Sequence, residues 1–351
     1  KNLCASTLTL AGVVQTIPKG EFNLLEYSIK RIFRIYPIYS MFTFIALISY
    51  YKYGINLGQK IEYSTLFSSF LMVPIEKSLP LYGVGWSLQH EVIFYSIAGI
   101  VLLFASQRSL ASLLVFLGGI GLLLNWLTPS HPALFGFWNY LVLSPVQLLF
   151  ALGIYTYIHK DYLAKLGFVV PMTLSVIGCV LSVKLIGYEN NVFGIGGTFG
   201  IGVASSLLIT ALLNAENSSA FIFKEKYHSI RKALVAIGDA SFSLYLVHWA
   251  IFLWLGSAAM IAFVEIPIWA TDLWRFSIVV ATIVLSLFMK RFIEAPIIKI
   301  GNSVCKKLSR KPQKLVVMGV DGVIKEEYIL SVPFKGKVVY AKNGELYFLK
   351  K

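Results

Sequence analysis

The sequence predicts an all-α polytopic membrane helix bundle of about nine visible spans, with a small β-rich C-terminal tail. Three observations predict it. Of the 351 residues, 57% are apolar and only 14% charged, whereas a soluble domain carries about 25% charged residues. With a mean hydropathy of +0.73 there is too little charge to cover a soluble core, so soluble globular, disordered and fibrous classes are excluded. Apolar stretches of about 20 residues, the length that crosses a bilayer as a helix, recur along the chain. They do not alternate, which argues against a membrane β-barrel. Lys and Arg, finally, concentrate in every second connection, as they do where basic loops stay cytoplasmic.

The elements follow in order. The apolar stretch 3–17 is too short to span comfortably. It lacks the basic start and small-residue cleavage site of a secretory signal, and it reads as the remnant of a membrane helix. Eight further spans are predicted at 35–53, 84–106, 109–127, 139–158, 168–187, 195–213, 240–264 and 269–289. The basic connections hold Lys19, Lys30, Arg31 and Arg34; Arg108; Lys160 and Lys165; Lys224, Lys226, Arg231 and Lys232; and the run after Lys290. Of the others, one holds Lys52, Lys60 and Lys77, partly balanced by Glu62 and Glu76, and the rest hold neither Lys nor Arg. The C-terminus is therefore expected in the cytoplasm. The net charge of +14 is the sum of these loops and a basic C-terminal stretch. No nucleic-acid-binding module interleaves with them, so no nucleic acid partner is expected. Trp138, Tyr140, Tyr155, Tyr157, Trp269 and Trp274 flank span ends as interfacial belts do. Cys4, Cys179 and Cys305 are too scattered for a disulfide framework or a metal site and read as buried free thiols. Beyond the membrane domain (1–311), residues 312–351 contain short mixed runs separated by Asp321-Gly322 and Asn343-Gly344. Such dipeptides signal hairpins.

Ionisable groups inside spans cost several kcal/mol each, so each is a functional candidate. Arg31 and Arg34 share a helix face and can clamp a phosphorylated ligand; the plainer reading is cytoplasmic anchoring. Pro37, just beyond them, suits the early part of a helix or a kink. In Trp86-Ser87-Leu88-Gln89-His90-Glu91, Glu91 lies about 7–8 Å along a helix from Trp86. Its plainer reading is a snorkelling carboxylate, and that of His90 a polar filler. In Gly238-Asp239-Ala240-Ser241, Asp239 sits where an N-cap belongs. Ser241, Tyr245 and His248 recur at i, i+4, i+7 and line one face, which puts His248 about 13–14 Å inside Asp239. A His at that depth beside a Tyr and a Ser points to a site more than to packing. In Arg291-Phe292-Ile293-Glu294-Ala295-Pro296, Glu294 can pair with a neighbouring base and Pro296 is expected to end the helix.

Taken in order, the Arg31–Pro37, Trp86–Tyr95, Gly238–His248 and Arg291–Pro296 segments resemble the acyltransferase type 3 family of multi-pass membrane O-acyltransferases, over roughly residues 20–300. The resemblance implies about ten membrane helices in a bacterial inner (plasma) membrane. It implies transfer of an acyl group, most often acetyl, from cytoplasmic acetyl-CoA or another acyl-CoA to a hydroxyl of a cell-surface, secreted or lipid-linked carbohydrate. No metal is implied. Arg31 and Arg34 match the family's arginine motif, thought to engage the acyl-CoA. Glu91 matches its membrane-embedded acidic residue, and His248 the histidine of its late serine-rich helix. Tyr245, His248 or Glu91 would then orient a catalytic base or donate to developing charge. The family's leading candidate base is a His in the first membrane helix, preceded by an Arg. That helix is not in the sequence as written, which is therefore expected to be inactive or strongly impaired. Two other readings compete. A proton-coupled secondary transporter would also use Glu91 and His248, but no internal repeat is visible. A non-catalytic scaffold of polysaccharide assembly would need no base.

Overall fold

The computed structural model describes residues 22–54, 61–73, 80–127, 142–189, 195–217, 228–262, 268–308, 313–318, 324–330, 340–342 and 345–349. The chain divides into two compact units, residues 1–301 and 302–351.

Helix α1 (Leu24–Tyr53) starts where the Asn23 side chain accepts from the Glu26 amide at 3.1 Å, and stops at Gly54, which takes φ +65°. Only a residue without Cβ adopts that left-handed cap at no steric cost. Pro37, expected near the start of a span, therefore lies well inside α1, where it removes the donor that would have met the Phe33 carbonyl.

The loop expected between α1 and α3 (Gly85–Phe104) holds α2 (Tyr63–Leu71), and residues 80–84 lead into α3. Leu81, Tyr82 and Val84 are buried. The irregular backbone here is satisfied internally, as it must be away from water. Tyr36 Oη donates to Leu71 O at 3.2 Å, the Leu81 amide donates to Ser69 Oγ at 2.8 Å, and Tyr82 Oη donates to Leu246 O.

Helices α4 (Gln107–Leu127) and α5 (Val146–Ile158) pack through glycine. A Cβ on Gly121 would fall 1.4 Å from Leu143 O, and one on Gly118 2.9 Å from the Leu148 amide nitrogen. Small residues let backbones approach where apolar burial does not discriminate. The span expected at 139–158 is a 13-residue helix in its described part, about 20 Å long; residues 128–141 lie outside the described residues. Helix α6 (Val169–Glu189) packs on α7 (Ile201–Asn217), which a π-helical turn at Ile195–Gly200 precedes. Ser175 Oγ donates to Ala204 O at 2.7 Å across that contact.

Helix α8 (His228–Asp239) meets α9 (Ser241–Ala262) at a 71° bend. Asp239 is thus the last, exposed residue of α8 and not the cap of α9. The first carbonyl of α9's ladder is that of Ala240, which accepts from the Leu244 amide at 2.8 Å. Helix α10 (Ile268–Met289) continues through a π turn (Lys290–Glu294) into α11 (Ala295–Leu308). Pro296 does not end this helix. The Ala295 amide reaches back to Lys290 O, and that wider turn puts the proline in the first turn of α11, where its missing N–H costs little.

Six helical segments among the described residues are long and apolar enough to cross a membrane, or seven if the α8–α9 pair is one span. The expected count of nine is not reached among these residues, and stretch 3–17 lies outside them. The outward faces are apolar: Phe116 on α4, Val180 on α6 and Phe276 on α10 are exposed. Cys305 is buried, but Cys179 lies on the exposed face of α6. Exposed apolar surface repeated on successive helices is the mark of a multi-pass membrane protein.

Glu294 ties two helices together. It is buried, its Oε1 accepts from Lys290 Nζ at 2.6 Å, and its Oε2 accepts from Ser243 Oγ of α9 at 2.6 Å. Ser243→Ala is expected to cost about 1.5–2 kcal/mol, the worth of a hydrogen bond to a charged group. A lowered Tm in detergent checks this.

Among the described residues the second unit carries four strands: β1 (Gln313–Met318), β2 (Ile324–Leu330), β3 (Tyr340–Lys342) and β4 (Glu345–Leu349), in the sheet order β2-β1-β4-β3. β1–β2 and β3–β4 pair antiparallel, and β1–β4 parallel.

Candidate functional site

The site is built on three helices. On α1 the buried positions Tyr27, Arg31, Ile35, Ile38 and Phe42 follow helical spacing, so Arg31 lies on the inward stripe. Its guanidinium carbon is 5.4 Å from the Tyr27 ring centroid and 5.0 Å from that of Tyr95 on α3. Arg34, one turn on, is half-buried at the margin of that stripe. The shared face expected for the two arginines is therefore divided: one charge is held between aromatic rings and the other stands at the edge.

On α3, Ser87, Glu91 and Tyr95 recur at i, i+4, i+8 and form a polar ladder on one face. Tyr95 Oη donates to Glu91 Oε1, and Tyr27 Oη donates to Tyr95 O at 3.3 Å. The positive charges of Arg34 and Arg31 both act on Glu91. Glu91 is thus held by a hydroxyl and two cations, not snorkelling alone. His90, on another face of α3, is buried, with Nδ1 2.9 Å from Trp86 O and its ring edge-on to Trp86.

The upper rung of the ladder meets α9. Ser87 Oγ and Tyr245 Oη are hydrogen-bonded, and Tyr245 Oη donates to Val84 O at 2.7 Å. The rings of Tyr245 and His248 are 5.5 Å apart. His248 is exposed among the described residues, with Nδ1 3.2 Å from Leu244 O. A carbonyl only accepts, so Nδ1 carries the proton of the neutral ring and Nε2 keeps its lone pair. That is the tautomer of a general base.

The structure therefore groups Arg31, Arg34 and Glu91 at one level, and Tyr245 and His248 at another, with the α3 ladder between. Ser87, Tyr95 and Tyr27 were missed as site residues. Their signal was the i, i+4 spacing from Glu91 for Ser87 and Tyr95, and from Arg31 for Tyr27. Beside the upper level a shallow crevice runs between α1 and α9, lined by Phe42, Ala46, Ser49, Tyr82, Ala250 and Trp254 among others.

A family model described as an acyltransferase domain matches residues 8–291. No curated protein and no solved structure matches the chain.

Proposed function

Because the chain belongs to the acyltransferase type 3 family, we propose that it transfers an acyl group, most often acetyl, from acyl-CoA to a hydroxyl of a carbohydrate or lipid-linked glycan at the bacterial inner membrane. The observation that carries this reading is the ladder Ser87–Glu91–Tyr95. It joins a cationic group suited to an anionic coenzyme to a histidine whose Nε2 is a competent base.

Arg34, on the cytoplasmic side by the distribution of basic loops, engages the coenzyme's phosphates, while Arg31 supports it from within the bundle. His248 Nε2, in place of the first-helix His that the resemblance implies as the base, takes the proton of the acceptor hydroxyl as its oxygen bonds to the thioester carbon. The carbonyl π pair moves onto oxygen. It returns as the C–S bond breaks, and the thiolate leaves with the proton from the imidazolium. Tyr245 holds the ring face of His248, and Glu91 sets the charge balance beneath it. The C-terminal tail lies in the cytoplasm.

Labelled acetyl-CoA incubated with membranes containing the protein and their glycans tests the reading directly. Label appearing in glycan only when the protein is present supports it, and label that stays in the coenzyme pool overturns it. Arg34→Ala is expected to raise KM for acyl-CoA about tenfold, the loss of one partly solvated charge-assisted contact, with kcat nearly unchanged. Initial rates across acyl-CoA concentration check this.

A further inference from the structure

The turn that opens α3 holds two buried donors with nothing to donate to. Tyr39 on α1 is fully buried, yet among the described residues its hydroxyl finds no hydrogen-bond partner, and neither does Trp249 Nε1 on α9. Thr43, the neighbouring hydroxyl, lies near Tyr39 Oη but donates to the Tyr39 carbonyl, at 3.0 Å. An orphaned buried polar group of this kind costs about 1–3 kcal/mol.

Both donors end on the same short segment. A Cβ on Gly85 would stand 2.2 Å from Tyr39 Oη, and one on Gly83 2.5 Å from Trp249 Cζ2 and 3.1 Å from Trp249 Nε1. Glycine at these two positions is what lets the donors come up to the backbone. The turn's acceptors are already occupied: Val84 O accepts from Tyr245, Tyr82 O from the Gly85 amide, and Gly83 O from the Trp86 amide. No side chain caps α3 at Val84, so the positive end of a 20-residue helix faces the same place. Donors and positive potential gather here, and what is missing is an oxygen acceptor carrying negative charge.

We propose that the Gly83–Gly85 turn, with Tyr39 Oη–H and Trp249 Nε1–H, is the subsite for the carbonyl oxygen of the acyl group and stabilises it as an oxyanion. The inference rests on the acyl-transfer reading and adds to it the groups that receive the developing charge. When the acceptor oxygen bonds to the thioester carbon, the π pair moves to the carbonyl oxygen and the two donors shorten toward it. Both stay protonated throughout. When the pair returns, the C–S bond breaks. Tyr245, bonded to Val84 of this turn and with its ring 5.5 Å from that of His248, places the base beside the subsite. Donors fixed by folding need no reorganisation as charge develops, which is where such sites gain most.

The test measures kcat, KM for acyl-CoA and Tm in detergent for wild type, Tyr39→Phe, Trp249→Phe and Ser68→Ala. Tyr39→Phe keeps the ring and deletes one donor; Trp249→Phe deletes the other donor together with part of the indole that packs on Gly83. Ser68, on α2, is another buried hydroxyl without a partner and serves as the control. Tyr39→Phe is expected to lower kcat about 100-fold with KM within twofold and Tm equal or higher, since the deleted hydroxyl satisfied nothing in the free protein. Trp249→Phe is expected to lower kcat likewise but to lose some Tm to the smaller ring, and Ser68→Ala to hold or raise Tm without touching kcat. A Tyr39→Phe protein that keeps its kcat, loses activity through KM alone or melts several degrees lower overturns the subsite. A wild-type protein that transfers nothing overturns the acyl-transfer reading and this subsite with it. An active wild type with unaffected variants overturns the subsite alone.

Discussion

Replacing His248 with glutamine is expected to lower kcat by about two to four orders of magnitude, the usual worth of a positioned general base. The fold gives little reason for any other outcome. His248 is exposed among the described residues and makes one hydrogen bond, to the carbonyl one turn back. Its ring touches Tyr245, whose own hydroxyl is held independently by Ser87 and Val84. Removing the imidazole therefore leaves the α3–α9 contact in place, and Tm should move by no more than a degree or two. KM for acyl-CoA should be unchanged, since the coenzyme's phosphates are assigned to the other level of the site. His248→Ala offers a chemical check. The truncated side chain leaves a gap the size of an imidazole, so added imidazole should restore part of the rate in a concentration-dependent way. A His248→Gln protein with near-normal kcat would move the base elsewhere and leave the Nδ1–Leu244 contact a local helix detail.

That His248 stood out in the sequence, while its surroundings did not, has a physical reason. A titratable residue deep in an apolar run is conspicuous because the bilayer penalises it. Spacing at i, i+4 and i+7 then shows which neighbours share its face, and Tyr245 was legible on that ground. Ser87 and Val84 come to Tyr245 from more than 150 positions away in the chain, and no local period encodes such a contact. The membrane helices themselves were legible because a span is a local property of about 20 residues. The α2 return was not. Its nine residues are rich in Ser and Thr, and its burial depends on Tyr36, Ser69 and Tyr82 satisfying it from other elements. Pro296 and Asp239 misled for a related reason. Each carries a strong local preference, for a helix end and a helix start. The π turn at 290–294 and the bend at Ala240 override those preferences with the hydrogen bonds around them. For Arg31 and Arg34 spacing alone suggested one common face, but which of the two the core would take depended on Tyr95, on another helix.

That division yields the second large effect, this time on stability. Arg31→Ala is expected to destabilise the protein by about 3 kcal/mol, whereas Arg34→Ala should leave Tm nearly unchanged. The figure is the low end of the cost of breaking a buried ionic arrangement, because Glu91 keeps some exposure and Arg34 remains within electrostatic reach. Arg31 is 9% exposed, and truncation removes both the cation between the Tyr27 and Tyr95 rings and the packing of its long stem. Two explanations of the loss can be separated. If Arg31 matters only as packing, Arg31→Met should restore the stability lost in Arg31→Ala, whatever stands at position 91. If it matters as the counter-charge to Glu91, Arg31→Met alone should remain destabilised, and Arg31→Met with Glu91→Leu should recover most of the loss, because an apolar pair no longer carries a desolvated charge. The cluster geometry predicts the second pattern, with a coupling between the two positions of about 1–3 kcal/mol in a double-mutant cycle. Activity should stay low in the recovered double variant, since Glu91 is gone. Stability and function would then part company at one pair of residues, which an arginine serving only as a surface anchor could not produce.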